Sequence, residues 1–168
     1  MFFFRLILIF FLFHNHAISN ENLNLVIIDL DYVFKNSNVG KKISETSISK
    51  KEALIKEKNK IEAKLEKQKN DIMSKKNVLD KKEFEEKVIS HQKEIKDYQI
   101  KMNNDLKKVN DEFIKKNIEF KKKVDQLLIE YSKENNIDLI VSKNSVVLSN
   151  TKIDMTKQIL EIVNNKIK

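Results

Sequence analysis

KKEFEEKVISHQKEIKDYQIKMNNDLKKVNDEFIKKNIEFKKKVDQLL, residues 81–128, mixes lysines and acids with isolated apolar residues and contains no proline or glycine. It lies within a longer run, residues 41–135, of 95 residues that also lack both. The two residues most hostile to a helix interior are missing, and Lys, Glu and Gln are good helix formers, so the run reads as helical. Two short β-branched blocks flank it. Before it stands Leu23-Asn24-Leu25-Val26-Ile27-Ile28-Asp29-Leu30; after it, Ile137-Asp138-Leu139-Ile140-Val141 and Val146-Val147-Leu148. Neither block is large enough to fold alone, so the two must meet in space while the helical run leaves and returns. The expected fold class is α+β. A small β body, three strands per chain and shared in an oligomer, carries a long protruding antiparallel α-helical coiled-coil hairpin.

Apolar spacing in the helical run supports two paired arms. On the outgoing arm Leu54, Ile61, Leu65 and Ile72 step by seven, four and seven. On the returning arm Val88, Ile95, Met102 and Val109 step by sevens beside Phe84, His91 and Tyr98, and a second series, Leu106, Phe113, Phe120 and Leu127, follows at an offset of four. That is a narrow coiled-coil seam with one phase shift, enough for one antiparallel neighbour. The seam lapses at Ser74-Lys75-Lys76-Asn77, and Asp80 with Glu83 three residues on resembles a capping box, which puts the tip at residues 74–80. An outgoing arm of about 33 residues would project on the order of 50 Å.

At the base, the dense aliphatic centre of the first block reads as a strand buried on both faces. Asp31 is the expected cap of a short helical turn through Tyr32, Val33 and Phe34, and Ser37, Asn38 and Gly40 the punctuation before the long helix. Ile137 to Val141 forms a strand, residues 142–145 a polar turn, Val146 to Leu148 the second strand of a hairpin, and Asp154 precedes a final amphipathic helix. So small a sheet has open edges and apolar faces, which association with other copies would cover. The oligomerisation candidates are Val26, Ile27, Ile28, Leu139, Ile140, Val141, Val146, Val147 and Leu148.

The organisation is then residues 1–19 as a signal peptide, 20–40 and 136–168 as a β-rich oligomerisation body, and 41–135 as the arm. Arg5, the apolar core of residues 6–13 and Ala17-Ile18-Ser19 carry the export reading, with processing before Asn20 and a periplasmic destination. That core is too short to span a bilayer, which takes roughly 20 residues. Beyond residue 19 the chain holds 32 lysines against 25 acids and no arginine, a net +7. Lysine offers a flexible point charge rather than the planar fork that reads base edges, so the charge suits diffuse attraction of acidic partners and no specific nucleic acid.

No cysteine is present, and His91 is the sole histidine beyond the signal region. Without a phosphate loop, a zinc-protease motif or a nucleophile elbow, the chain reads as a non-enzyme needing no cofactor. The candidates for contact with a bound polypeptide are Ile100, Ile114 and Ile118, outside the tightest seam, and the tip lysines Lys75, Lys76, Lys81 and Lys82. Residues 67–82 hold six lysines and two aspartates. Two other classes fit the helical run alone: a basic nucleic-acid-binding coiled coil, and a structural envelope spacer.

Leu25-Val26-Ile27-Ile28-Asp29-Leu30-Asp31-Tyr32-Val33-Phe34, a charged helical hairpin, Asn136-Ile137-Asp138-Leu139-Ile140-Val141, Val146-Val147-Leu148 and a terminal helix, in that order, resemble the Skp/OmpH family of periplasmic chaperones. The resemblance covers essentially the whole chain beyond the signal region. It implies a homotrimer whose hairpins form a basket around unfolded outer-membrane proteins, holding them without ATP. The scarcity of glycine and arginine departs from the family pattern, so no lipopolysaccharide-binding residue is carried over. An anionic lipid or lipopolysaccharide surface is a further partner that the basic charge admits.

Overall fold

The computed structural model of the chain describes residues 23–168; the expected signal peptide, residues 1–19, lies outside the described residues. Strand β1, Leu25–Ile28, leads into helix α1, Leu30–Asn36, and then into α2, Asn38–Ser74. After the tip comes α3, Lys81–Glu134, then strand β2, Leu139–Ser142, and helix α4, Thr156–Lys166. The two strands pair in parallel, Leu25 opposite Leu139 through Ile28 opposite Ser142. Parallel neighbours require a long crossover connection, and here α1, α2 and α3 together supply it.

The aliphatic centre of β1 is buried between β2 and the helices of the base. Its far edge is closed by the segment before α4, where the Met155 N–H donates to the Ile27 carbonyl at 2.9 Å. Asn24 fastens the entry to the sheet. Its N–H donates to the Asp138 carboxylate at 2.8 Å, and its side-chain amide to the Asn136 carbonyl at 2.8 Å. Asn136 itself adopts φ 50°, a left-handed residue just past α3, and the Ile137 N–H returns to the Ser132 carbonyl at 2.9 Å. This is a Schellman closure with asparagine in the position where glycine is usual. It turns the chain from α3 directly into β2.

The core of the base is largely helical. Val33 of α1, Phe120, Val124, Leu127 and Leu128 of α3, and Ile159 and Val163 of α4 close over Ile28. Phe34 adds edge-on aromatic contacts to Phe120 at 5.3 Å and Phe113 at 6.4 Å. The apolar positions 120, 124 and 127 lie on successive turns of α3, which is how one helix face serves the arm above and the base below. At about 1.5 Å per residue α2 is on the order of 55 Å long and α3 on the order of 80 Å, so the last turns of α3 run past the root of α2 into the base.

Several expectations change here. The third strand does not form: a 3₁₀ turn at Lys143–Ser145 leads the chain away from β2, and Val147 and Leu148 project fully into solvent. A strand exists only through a partner's hydrogen bonds, and none lies beside this segment among the described residues. The base is therefore less β-rich than residues 20–40 and 136–168 suggested, with a two-stranded sheet. Asp29, not Asp31, caps α1, its carboxylate accepting from the Tyr32 N–H at 2.8 Å.

Nor does Gly40 end anything. Ser37 closes α1 and caps α2, its hydroxyl accepting from the Gly40 N–H at 3.1 Å. Gly40 lies in the first turn of α2, where an added Cβ would sit 1.8 Å from the Phe34 carbonyl oxygen. Glycine is needed there for the close approach of two consecutive helices rather than for a turn.

Asp154 locks the covering segment onto β1. Lys143 Nζ donates to its carboxylate at 2.7 Å and the Thr156 N–H at 3.0 Å, and these groups hold its carboxyl down to about 2. A carboxyl depressed in the fold contributes stability above its unfolded value and loses that contribution as pH falls through the folded one. Asp154→Asn should therefore lower the urea midpoint at pH 7, with the gap to the parent protein closing between about pH 4 and pH 2. A gap independent of pH would show that the carboxylate's charge plays no part.

Candidate functional site: the faces of the helical arm

The tip is built by its caps. Helix α2 ends at Ser74, Lys75 and Lys76 begin the turn, and Asp80 caps α3 by accepting from the Glu83 N–H at 2.9 Å. Only half of a capping box is made, because the Glu83 carboxylate turns to Lys87 at 3.4 Å. Lys81 and Lys82 stand in the first turn of α3, where the helix dipole disfavours cations, with Glu85 and Glu86 at 4.0 Å one turn on. All four tip lysines are exposed.

Ion pairs across the arm fix the alignment of the two helices. Lys64 meets Glu94 at 4.0 Å, Glu57 meets Lys101 at 3.1 Å, and Lys50 pairs with Glu112. Positions rise on α2 as they fall on α3, the sense of an antiparallel pair. From Glu57 to Lys50 the outgoing helix retreats seven residues while the returning helix advances eleven, from Lys101 to Glu112. The four-residue excess coincides with the phase shift at Tyr98, Met102 and Leu106. Hydrogen bonds that Lys101 donates to the Glu57 and Asp105 carboxylates push its ammonium up, and the hydrogen bond from Lys50 pulls the Glu112 carboxyl down. Exposed pairs of this kind add little stability, so they select register more than they hold the arm together.

The family model described as Outer membrane protein (OmpH-like) matches residues 24–163, from the start of the sheet into α4. The chain belongs to the OmpH-like family. A solved structure with the same arrangement is that of a proposed outer membrane chaperone (OmpH-like) from Caulobacter crescentus CB15. It superposes with a TM-score of 0.81 at 16% identity, covering 87% of this chain and 86% of that one. Identity that low speaks to the fold alone. Comparison with curated proteins finds no match.

In this OmpH-like chain the expected site residues divide into three groups. Ile100, Ile114 and Ile118 are exposed on α3, with Ile114 and Ile118 lining an open groove between Asp111 and Lys122. Lys75, Lys76, Lys81 and Lys82 lie together at the tip, far along the arm from Ile114 and Ile118. At the base, Val26, Ile27 and Ile28 are buried in the chain's own core, while Leu139 is exposed and Ile140 and Val141 are half-buried on β2. Val146 is half-buried, and Val147 and Leu148 stand on the surface apart from the sheet.

Two features escape the sequence reading. At the arm root Val39, Ile43, Val109 and Phe113 floor a groove of about 300 Å³ edged by Lys42, Lys50, Lys116 and Lys168. Its members come from both helices, so no local pattern marks it. The second is a polar defect in the distal seam. His91, which the sequence sets in the seam series beside Phe84 and Tyr98, is only 8% exposed, and both its ring nitrogens lack a partner among the described residues, as do Gln68 Oε1 and Tyr98 OH. Burial, with the Glu57 and Glu62 carboxylates, pushes the Tyr98 phenol up. Among the described residues no three His, Asp or Glu side chains converge to hold a metal, and no helix is long and apolar enough to cross a membrane.

A buried polar group without a partner costs about 1–3 kcal/mol relative to an apolar replacement. His91→Leu should accordingly raise the urea midpoint and slow amide exchange in the distal arm, by about 1–2 kcal/mol of local stability. Faster exchange in the variant would mean that the imidazole supports the seam.

Proposed function

We propose that this chain is an ATP-independent holdase of the periplasm, which keeps unfolded outer-membrane proteins soluble. In this reading it works as an oligomer, the homotrimer implied by the family resemblance, with helical arms projecting from a joined base. The observation that carries the reading is the surface of the arm. Ile48, Ile55, Ile100, Ile114 and Ile118 are all about half-exposed on helices otherwise clad in lysine and glutamate. A stable helix pair gains nothing from such side chains in water, whereas dispersed apolar points beside flexible charges offer many weak contacts to an unstructured chain. Contacts that are individually weak sum to a firm hold that still releases. The chaperone description of the Caulobacter relative supports the same reading.

The base supports assembly. Among the described residues the outer edge of β2 has no partner, and Val147 and Leu148, apart from the sheet, are fully exposed; a neighbouring copy would cover both. The nucleic-acid reading is disfavoured by the distribution of charge, because acids from both helices are interleaved with the lysines as ion pairs along the arm. A spacer would need neither the exposed isoleucines nor the elaborated base.

Shortening the arm tests the holding role directly. The pairing of Lys50 with Glu112 sets the register at the arm root, so removing residues 47–115, and with them Ile48, Ile55, Ile100 and Ile114, and joining the ends with a short Gly/Asn turn keeps the remaining helices aligned. The shortened protein should retain its subunit number and lose most of its ability to suppress aggregation of a urea-diluted barrel protein. Equal protection by the short and full-length proteins would remove the arm from the function.

A further inference from the structure

Five isoleucines of α3, at positions 89, 100, 114, 118 and 129, are between 47 and 64% exposed. At 3.6 residues per turn they fall within a sector of about 60°, and the line they draw along the helix is about 60 Å long. The buried residues of the same helix along the arm, His91, Met102, Val109 and Phe120, lie about 160° away around the axis, while Val124, Leu127 and Leu128 turn into the base. The isoleucines therefore form the back of α3, the face turned from α2. Steps of eleven residues, from Ile89 to Ile100 and from Ile118 to Ile129, keep the line nearly straight, since eleven residues is close to three helical turns.

Lysines fill the gaps. Lys93, Lys96 and Lys107 occupy the same sector and Lys121 and Lys122 flank it by about 20° on either side, with Asp111 and Asp125 the acids among them. Among the described residues, none of these five lysines has a carboxylate within 4.0 Å, whereas Lys87, Lys101, Lys108 and Lys116 on other faces of α3 each do. Lys115, Lys123 and Lys133 on other faces of α3 also lack a carboxylate partner among the described residues, but on the back of the helix the unpaired ammonium groups alternate with exposed isoleucines.

We infer that this isoleucine and lysine ladder is the surface that holds a client, and that it selects extended, unfolded segments in which apolar residues are interspersed with Asp and Glu. The inference rests on the proposed holding function and assigns it to the length of α3 rather than to the tip. A second helix is a poor occupant. Knobs-into-holes packing needs an apolar residue every three or four positions, and here gaps of eleven and fourteen are filled by lysine. A membrane surface is poor as well, because an interfacial helix needs a continuous apolar face. An extended chain can meet points 16–21 Å apart in any register, and its carboxylates meet the free lysines between them.

The test uses the full-length protein and two kinds of probe. One is a urea-unfolded barrel protein; the others are synthetic unfolded peptides alternating Phe or Ile with Glu, or with Lys in place of Glu. Because the five side chains are exposed, Ile→Gln at all five positions should leave helicity and subunit number unchanged. Each single change should weaken binding about threefold to tenfold, and the quintuple change by at least about a hundredfold. The Glu peptide should bind at least about tenfold tighter than the Lys peptide at low salt, a preference removed by Lys→Glu at positions 93, 96, 107, 121 and 122. Binding that survives the quintuple change overturns the ladder and leaves the holding function standing. Loss concentrated at a single position overturns it too, as does a quintuple variant that sheds anionic vesicles but keeps the client. If the parent protein neither binds nor protects the unfolded barrel protein, the holding function fails and the ladder with it.

Discussion

The parallel pairing of Leu25–Ile28 with Leu139–Ser142 is the constraint from which the rest follows. It joins residues 114 positions apart in the chain, and everything between them must depart and return. Loop-closure entropy grows only slowly with length, so a long connection is tolerated as long as the ends are well fastened. Fastening is dense here. Asn24 bonds to the 135–138 segment, Asp154 and Met155 cover the outer side of β1, and α1, α3 and α4 close over Ile28. Given that closure, a connection made of two long helices must form a hairpin, and the seam residues decide only how its arms align.

The arm shows what this sequence does not optimise. Its helices pair through a thin apolar seam with ion pairs at the margins, and its distal part buries His91, Gln68 and Tyr98 without full hydrogen bonding. Five isoleucines remain in water along the back of α3. Each departs from what stability alone would favour, and together they describe a projecting surface suited to loose, repeated contact. The base, where Val33, Ile159 and Val163 are wholly buried, is where folding stability is concentrated.

Much of this was legible in the sequence for specific reasons. A glycine- and proline-free run of lysine and glutamate can hardly be anything but helix, and seven-residue spacing marked the seam down to its phase shift. Asp80 announced the tip by its capping chemistry. Local chemistry misled where two elements approach each other. Gly40 reads as punctuation, yet its reason is the Phe34 carbonyl, six residues back on a separate helix. Val146, Val147 and Leu148 read as a strand because β propensity reports side-chain type, while a strand also needs an edge to join. Among the site residues, Ile100, Ile114 and Ile118 stood out by missing the seam. Ile89 and Ile129 did not, because an eleven-residue spacing is visible only once the helix is known to be continuous across it.

Two proposals stand together: that the base assembles copies of the chain, and that the arms of the assembly hold an unfolded client. Native mass spectrometry of the protein starting at Asn20, with and without a urea-unfolded outer-membrane barrel protein, reads both at once. The account predicts a defined oligomer alone, and the same oligomer carrying one client when the barrel protein is present. A monomer that acquires no client under those conditions would contradict it.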